Sequence, residues 1–424
     1  MIAILDRYFS LPEGVVLVPG AKFSVLADFR KKELFRVNAS AMSIIELGER
    51  GYRLADIAKI LELEDTDLLQ FIRNLGNQGL IQLSAMPKPQ RIQDAPRVGL
   101  EFMWLEVTAG CNLRCPHCYA DAGTAQVADP SAEEIFGWLD QGAAMGCKKV
   151  QFTGGECIMR DDLKVLINHA RNLRYEFIEV MTNCTLFTEP LVRFFSENSI
   201  NVATSLYSFR SATHDSITGV SGSFEKTIHG LKLLLAYNIP VRCDIVAMAQ
   251  NEDDLDGTQR LLKEMGLFHR HPISIRPTGR GIDTKNWSRK YGFRSIRTGP
   301  DFRIDRKTYE FSLCWNNCWT GLIAITSNGN VLPCVFAREQ IAGNVRSQPL
   351  SDIIQGKMQE FWSLTKDRVE TCKDCEYRYF CHDCRPWAYG CSGDLYAKSP
   401  KCTYDPYIGK WGTAERMLHP PDSS

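Results

Sequence analysis

The sequence predicts an α/β protein: a partial (β/α)6 TIM-like barrel over residues 98–277, preceded by a winged-helix-like α+β domain over 1–85 and followed by a cysteine-rich domain over 314–424. Three observations predict it. Strand-like and helix-like runs alternate six times between Val98 and Pro277, which implies a parallel sheet that right-handed crossovers curl into a barrel. Three short strand-like runs and then helical periodicity precede residue 85. Of sixteen cysteines, none comes before Cys111 and nine lie between Cys314 and Cys402, so the cysteines follow the chain's organisation rather than its length.

Composition narrows the class. Hydrophobic residues are 44% and charged residues 24%, an ordinary globular mix that excludes wholesale disorder. Fifty basic residues against fifty acidic ones remove the electrostatic case for nucleic acid or an anionic membrane as partner. No apolar run is long enough to span a bilayer. The start, MIAILDRYFSLPEG, lacks the basic stretch and long apolar core of a secretory signal, so a cytoplasmic location is expected. Clustered cysteines in such a chain point to metal or cluster ligation rather than to disulfides.

The elements follow in order. Val15–Val18, Phe23–Leu26 and Leu34–Val37 read as strands broken by Pro19, Gly20 and a charged turn. Ala41, Ile44, Ile45 and Leu47, then Leu54, Ile57 and Ile60, recur at helical spacing. Asp65-Thr66-Asp67 caps a third helix carrying Leu68, Leu69, Ile72 and Leu75, and Gly79–Leu83 closes the unit as a strand. Residues 86–97, with Pro87, Pro89 and Pro96, read as a linker. The barrel strands are expected at Leu100–Val107, Lys149–Phe152, Phe177–Met181, Val202–Leu206, Val241–Met248 and Ile273–Arg276. The helices between them are expected at Ala132–Met145, Leu163–Asn172, Leu191–Asn198, Phe224–Tyr237 and Leu255–Met265. Residues 278–313 read as a basic connecting segment, either a solvated loop or a strip for an acidic peptide. From Arg270 to Glu310 there are eleven Lys and Arg against four acids. The last domain carries short strands at Leu322–Thr326 and Val331–Val335, and its irregularity calls for bound metal as a staple.

Cys111-x3-Cys115-x2-Cys118 follows the first barrel strand directly, at the rim where barrel chemistry sits. Three thiolates on one loop are one short of a closed tetrahedral site. A [4Fe–4S] cluster held by three cysteines leaves one iron open. A zinc site would need a fourth ligand, and His117 lies inside the loop. With His117 before the last cysteine, the motif resembles the radical S-adenosylmethionine (SAM) superfamily. Thr153-Gly154-Gly155-Glu156 at the end of the second strand is similar to that family's Gly-Gly-Glu segment, with Cys157 where Pro is usual. The resemblance implies a SAM-binding [4Fe–4S] cluster on Cys111, Cys115 and Cys118. It also implies cofactor contacts from His117, Tyr119, Gly154, Gly155, Glu156, Asn183, Ser205 and Arg276. The implied activity is hydrogen abstraction by a 5′-deoxyadenosyl radical, with an electron from a flavodoxin- or ferredoxin-type partner.

The second cysteine set runs Cys314-x3-Cys318, Gly329-x4-Cys334, Cys372-x2-Cys375-x5-Cys381-x2-Cys384, then Cys391 and Cys402. It resembles the SPASM extension, apart from a shortened spacer before Cys384; paired zinc sites are the plainer alternative. The resemblance implies two auxiliary [4Fe–4S] clusters, one on Cys314, Cys318, Cys334 and Cys384, the other on Cys372, Cys375, Cys381 and Cys402, with Cys391 left over or replacing Cys402. The N-terminal unit is similar to PqqD-like precursor-recognition domains. That likeness implies a leader peptide adding as a strand, and Phe35, Val37, Leu69, Ile72 and Arg73 are the expected contacts. The expected function is modification of a ribosomally made precursor peptide by a crosslink, thioether, epimerisation or backbone excision. A radical enzyme acting on a protein or small-molecule precursor, and a non-enzymatic iron–sulfur carrier, are the alternatives.

Overall fold

The structure is a computed structural model that describes residues 2–88, 95–123, 128–292 and 297–413. Parts of the expected linker (89–94), of the basic segment (293–296) and of the last domain (414–424) lie outside the described residues.

The N-terminal unit opens on a short helix α1 (Ile2–Leu5) and strand β1 (Tyr8–Ser10). Strands β2 (Val15–Val18), β3 (Ser24–Asp28) and β4 (Glu33–Val37) form an antiparallel sheet in that order, so β4 is an edge. Helices α2 (Ala39–Glu49), α3 (Leu54–Ile60) and α4 (Asp65–Asn77) follow, and β5 (Gln82–Ser84) returns to pair with β1. The expected closing strand therefore exists but joins β1, a strand the sequence reading lacked, rather than the three-stranded sheet. Phe9, Leu26, Ile45, Leu54 and Ile57 are fully buried at the centre of this unit. Each contributes roughly 1.5–3 kcal/mol by leaving water.

β3 is buried on both faces. Leu26 faces the unit's own core, while Val25 and Ala27 pack against Tyr377, Phe380 and Tyr404 of the C-terminal region. Backbone bonds complete the junction: Ala21 N–H donates to the Asp374 carbonyl at 2.8 Å and Lys22 N–H to that of Pro406 at 3.1 Å.

The mostly parallel central sheet begins with β6 (Phe102–Thr108), followed by α5 (Ala132–Ala144), β7 (Lys149–Gly154), α6 (Leu163–Asn172), β8 (Phe177–Met181), α7 (Glu189–Glu197) and β9 (Asn201–Ser205). Two helices, α8 (Ser211–Thr218) and α9 (Ser223–Ala236), precede β10 (Val241–Asp244) and β11 (Val246–Ala247); α10 (Leu255–Glu264) leads to β12 (Ile273–Ser274). Strands β6 to β10 are parallel and in sequence order. The sixth strand, β12, is shorter than expected and pairs in parallel with β11. Met103, Leu105 and Val107 of β6 point into the layer of helices, with Ile135 and Leu139 of α5. The alternate residue Trp104 faces the interior cavity.

The C-terminal domain is not a separate body. Its strand β13 (Leu322–Ile325) pairs in parallel with β6, and β14 (Asn330–Leu332) and β15 (Gly343–Asn344) extend the same sheet. Trp319, Leu350 and Trp362 belong to the barrel's own apolar core. A last hairpin, β16 (Tyr404–Asp405) and β17 (Lys410–Trp411), sits against the N-terminal unit. No helix among the described residues is long and apolar enough to cross a membrane.

Candidate functional site

The three-cysteine loop leaves β6 at its C-terminal end and is tied down by its neighbours. Gly155 N–H donates to the Thr108 carbonyl at 2.9 Å and Glu156 N–H to that of Gly110 at 2.8 Å. Any side chain at Gly155 would collide with the Gly110 carbonyl, its Cβ falling 1.9 Å away, so the glycine serves this close approach. Asn112, inside the loop, accepts from the Asn183 side chain at 2.8 Å and donates to Thr185 at 2.8 Å.

Cys111, Cys115, His117, Cys118, Tyr119, Gly154, Gly155, Asn183, Ser205 and Arg276 all line one cavity of about 650 Å³ beside the C-terminal ends of the parallel strands. Residues scattered over 165 positions of sequence thus share one cavity. Glu156 is placed differently. It is fully buried behind the loop, and its carboxylate accepts from Thr182 Oγ1 at 2.7 Å, Asn183 N–H at 2.7 Å and Ile158 N–H at 3.0 Å. Burial pushes its carboxyl up, against those three bonds. The Tyr119 hydroxyl is engaged by Thr153 Oγ1 at 3.1 Å. The His117 ring is held neutral, its value lowered to about 4 by burial, and its Nδ1 has no hydrogen-bond partner. Arg276 stands on the C-terminal domain's side of the cavity, with the Phe336 and Trp387 rings 5.5 and 5.6 Å from its guanidinium.

Sequence reasoning missed Arg280, which lies in the segment expected to be a connecting loop. Its Nε donates to the Cys115 carbonyl at 2.9 Å, and its Nη1 reaches Asp121 at 2.7 Å and the Ala122 carbonyl at 3.0 Å. Gly279, with φ +56, lets the chain touch the Cys118 and Tyr119 carbonyls. A Gly-Arg-Gly step in a basic stretch was the available signal.

The other cysteines fall into two groups. Cys334 is pushed up first by burial and then by its neighbours Cys318 and Cys384, and Cys314 precedes them at the end of the helix Arg306–Cys314. Cys372 is pushed up to about 12, mainly by burial, with Cys381 and Cys402 adding to it. The Cys391 thiol is pushed up to about 11, mainly by burial, with Cys384 adding to it and Lys401 opposing. Cys157 is buried and bonded to the Met181 carbonyl at 3.2 Å, as a core filler would be.

These residues suit iron–sulfur clusters. Cys111, Cys118, Cys334 and Cys375 each accept a backbone N–H at 3.3–3.5 Å, the kind of bond that stabilises cluster sulfur. Among the described residues, no set of three or more His, Cys, Asp or Glu converges on a point as a single-ion site requires.

Comparison with known proteins agrees with this chemistry. Residues 105–262 match the radical SAM superfamily and residues 314–376 match SPASM, an iron–sulfur cluster-binding domain. The protein is a radical SAM enzyme carrying a SPASM domain, and its cofactors are a SAM-binding [4Fe–4S] cluster, auxiliary iron–sulfur clusters and SAM. It is 27% identical to the AdoMet-dependent heme synthase of Methanosarcina barkeri, over 74% of this chain and 98% of that one. It is also 27% identical to the PqqA peptide cyclase of Xanthomonas campestris, over 75% and 90%. In fold it is similar to Streptococcus suis SuiB bound to its precursor peptide SuiA, with TM-score 0.56, 15% identity, and coverage of 92% and 98%.

Proposed function

We propose that the protein modifies a short ribosomally made precursor peptide whose leader adds to the edge strand β4. The carrying observation is a groove of about 390 Å³ between β4 and α4, lined by Val37, Ala41, Ile44, Leu68 and Phe71 with Arg36 and Asp67 at its rim. An exposed strand edge supplies backbone donors and acceptors, and a groove beside it takes alternate side chains. The expected contacts shift by one residue along α4. Leu68, Leu69 and Ile72 are all buried, but the groove is lined by Leu68 and by the half-buried Phe71 rather than by Leu69 and Ile72.

In this reading Cys111, Cys115 and Cys118 hold the SAM-binding cluster. Cys314, Cys318, Cys334 and Cys384 hold one auxiliary [4Fe–4S] cluster, and Cys372, Cys375, Cys381 and Cys402 the other. When bound, the first cluster supplies the electron that splits SAM and so generates the 5′-deoxyadenosyl radical. The chain's own part is positioning. Gly154 and Gly155 let their segment press against Thr108 and Gly110 at the base of the cysteine loop, and Asn183 and Ser205 offer polar groups at strand ends. Glu156 and Arg280 fix the loops that carry them. The cavity walls keep water from the radical. A flavodoxin- or ferredoxin-type protein would deliver the electron.

A second reading, action on an iron porphyrin, is favoured by the likeness to heme synthase. About a quarter of this chain lies outside that alignment, although nearly the whole relative is matched. The N-terminal unit bears a groove that porphyrin chemistry does not call for. The test is Phe71→Ala. Losing one wall of the groove removes about half the burial of a docked aromatic or leucine side chain, roughly 1–1.5 kcal/mol. Affinity for a candidate precursor, the product of a short reading frame sought beside the gene, should fall about tenfold while SAM cleavage without peptide is retained. Unchanged peptide affinity would remove the docking site.

A further inference from the structure

Two cations share one aromatic ring behind the cavity wall. Lys401 Nζ lies 3.5 Å from the centre of the Trp387 ring, and the Arg276 guanidinium lies 5.6 Å from the same ring and 5.5 Å from that of Phe336. Neither cation makes an ion pair among the described residues, and Arg276 Nε is buried with no hydrogen-bond partner. The nearby carboxylate, Asp383, is already taken by Lys366 and Arg385. Two like charges held against one ring, both half-buried and one with a buried unpartnered Nε, favour an anion beside them. The surrounding chain shows which anion fits. Trp387 is three residues beyond Cys384 and Phe336 two beyond Cys334. The helix Arg385–Ser392 is pressed onto Pro277, with Gly390 against its carbonyl, so Arg276 and Cys384 belong to one packed unit. The charges that act on Lys401 include Cys384 and Cys391, and Arg276 acts on Cys318 and Cys334.

We infer that Arg276 and Lys401 are the counter-charges of the first auxiliary cluster and hold its reduction potential up. A four-iron cluster on four thiolates is a net anion, and adding an electron to it is easier beside fixed positive charge. Arg276 thus acts at the wall between the substrate cavity and that cluster. The inference rests on the assignment of Cys318, Cys334 and Cys384 to one cluster.

The experiment uses the full chain in a Cys111→Ala/Cys115→Ala/Cys118→Ala background, so that only the auxiliary clusters remain. Iron is counted after anaerobic reconstitution, and each cluster is then titrated potentiometrically with EPR detection. Arg276→Gln should shift one midpoint to more negative potential while the other cluster does not move; Lys401→Gln, which also adjoins Cys402, should shift that same midpoint, and the double variant should shift it further. Arg276→Lys, which keeps the charge, should stay near the parent. If Arg276→Gln loses the cluster, Lys401→Gln and Arg276→Lys carry the test. Unmoved midpoints, or equal shifts in both clusters, would overturn the inference. Weaker precursor binding by Arg276→Gln with an unmoved midpoint would overturn it too, making Arg276 an anchor for a substrate anion. About four irons instead of about eight in the parent background would sink the cluster assignment itself, a separate failure.

Discussion

Glu156→Gln tests how the Gly-Gly-Glu segment works. In the structure one carboxylate oxygen accepts from Thr182 Oγ1 and Ile158 N–H, and the other accepts from Asn183 N–H. Glutamine keeps one acceptor oxygen, so in either orientation its NH2 confronts a buried donor. An unsatisfied donor of this kind costs about 1–3 kcal/mol. The disturbed backbone is that of Asn183, whose side chain holds Asn112 of the cysteine loop, so the cost reaches the cofactor site. If about half of it falls on the SAM-bound state, SAM affinity drops roughly two- to tenfold, at 1.4 kcal/mol per decade. The assay is a SAM titration of the reduced cluster's EPR signal, alongside a thermal melt. Wild-type affinity and an unmoved melt would refute the positioning role. Lost affinity with an unmoved melt would mean that the carboxylate instead contacts SAM directly.

Other outcomes follow from the same contacts. Arg280→Ala removes three bonds from the cysteine loop and should lower iron after reconstitution from about twelve to about eight per chain, checked by iron analysis. Arg338→Met should destabilise the fold by roughly 3–5 kcal/mol, because it strands the buried Glu106 carboxylate. Adding Glu106→Gln should recover much of that loss in chemical denaturation. Asp28 is held down at about 2 chiefly by its bond to the Arg30 side chain, against an ordinary value of 3.8. Its folded value is depressed, so its stabilisation is full above the ordinary value and is lost as pH falls from about 4 through about 2. Asp28→Asn should therefore weaken the apo-protein at pH 7 and narrow its gap to wild type at pH 3, read by urea unfolding.

Much of this was legible in the sequence because it is local. Helical spacing of Leu68, Leu69, Ile72 and Leu75 located α4, and the strand-like runs located β2 to β4 within a residue or two. Cysteine spacing likewise brought the loop residues to one cavity. What stayed hidden depends on contacts distant in sequence. Nothing around Leu322 announces that β13 will pair with β6, more than two hundred residues earlier. The barrel and the cysteine-rich region therefore looked like separate bodies. The role of Glu156 was hidden for the same reason, since the three donors that occupy its carboxylate come partly from β8's far end. Arg280 looked like one more charge in a basic stretch because its partners lie about 160 residues upstream.

The central claim is that the substrate is a peptide. Its most direct test is mass spectrometry of two parallel anaerobic reactions with SAM and reductant, one containing candidate precursor peptides from short reading frames sought beside the gene and the other iron coproporphyrin. The expected result is a mass change confined to the peptide, lost when residues 1–88 are removed. A modified porphyrin beside an unaltered peptide would contradict it.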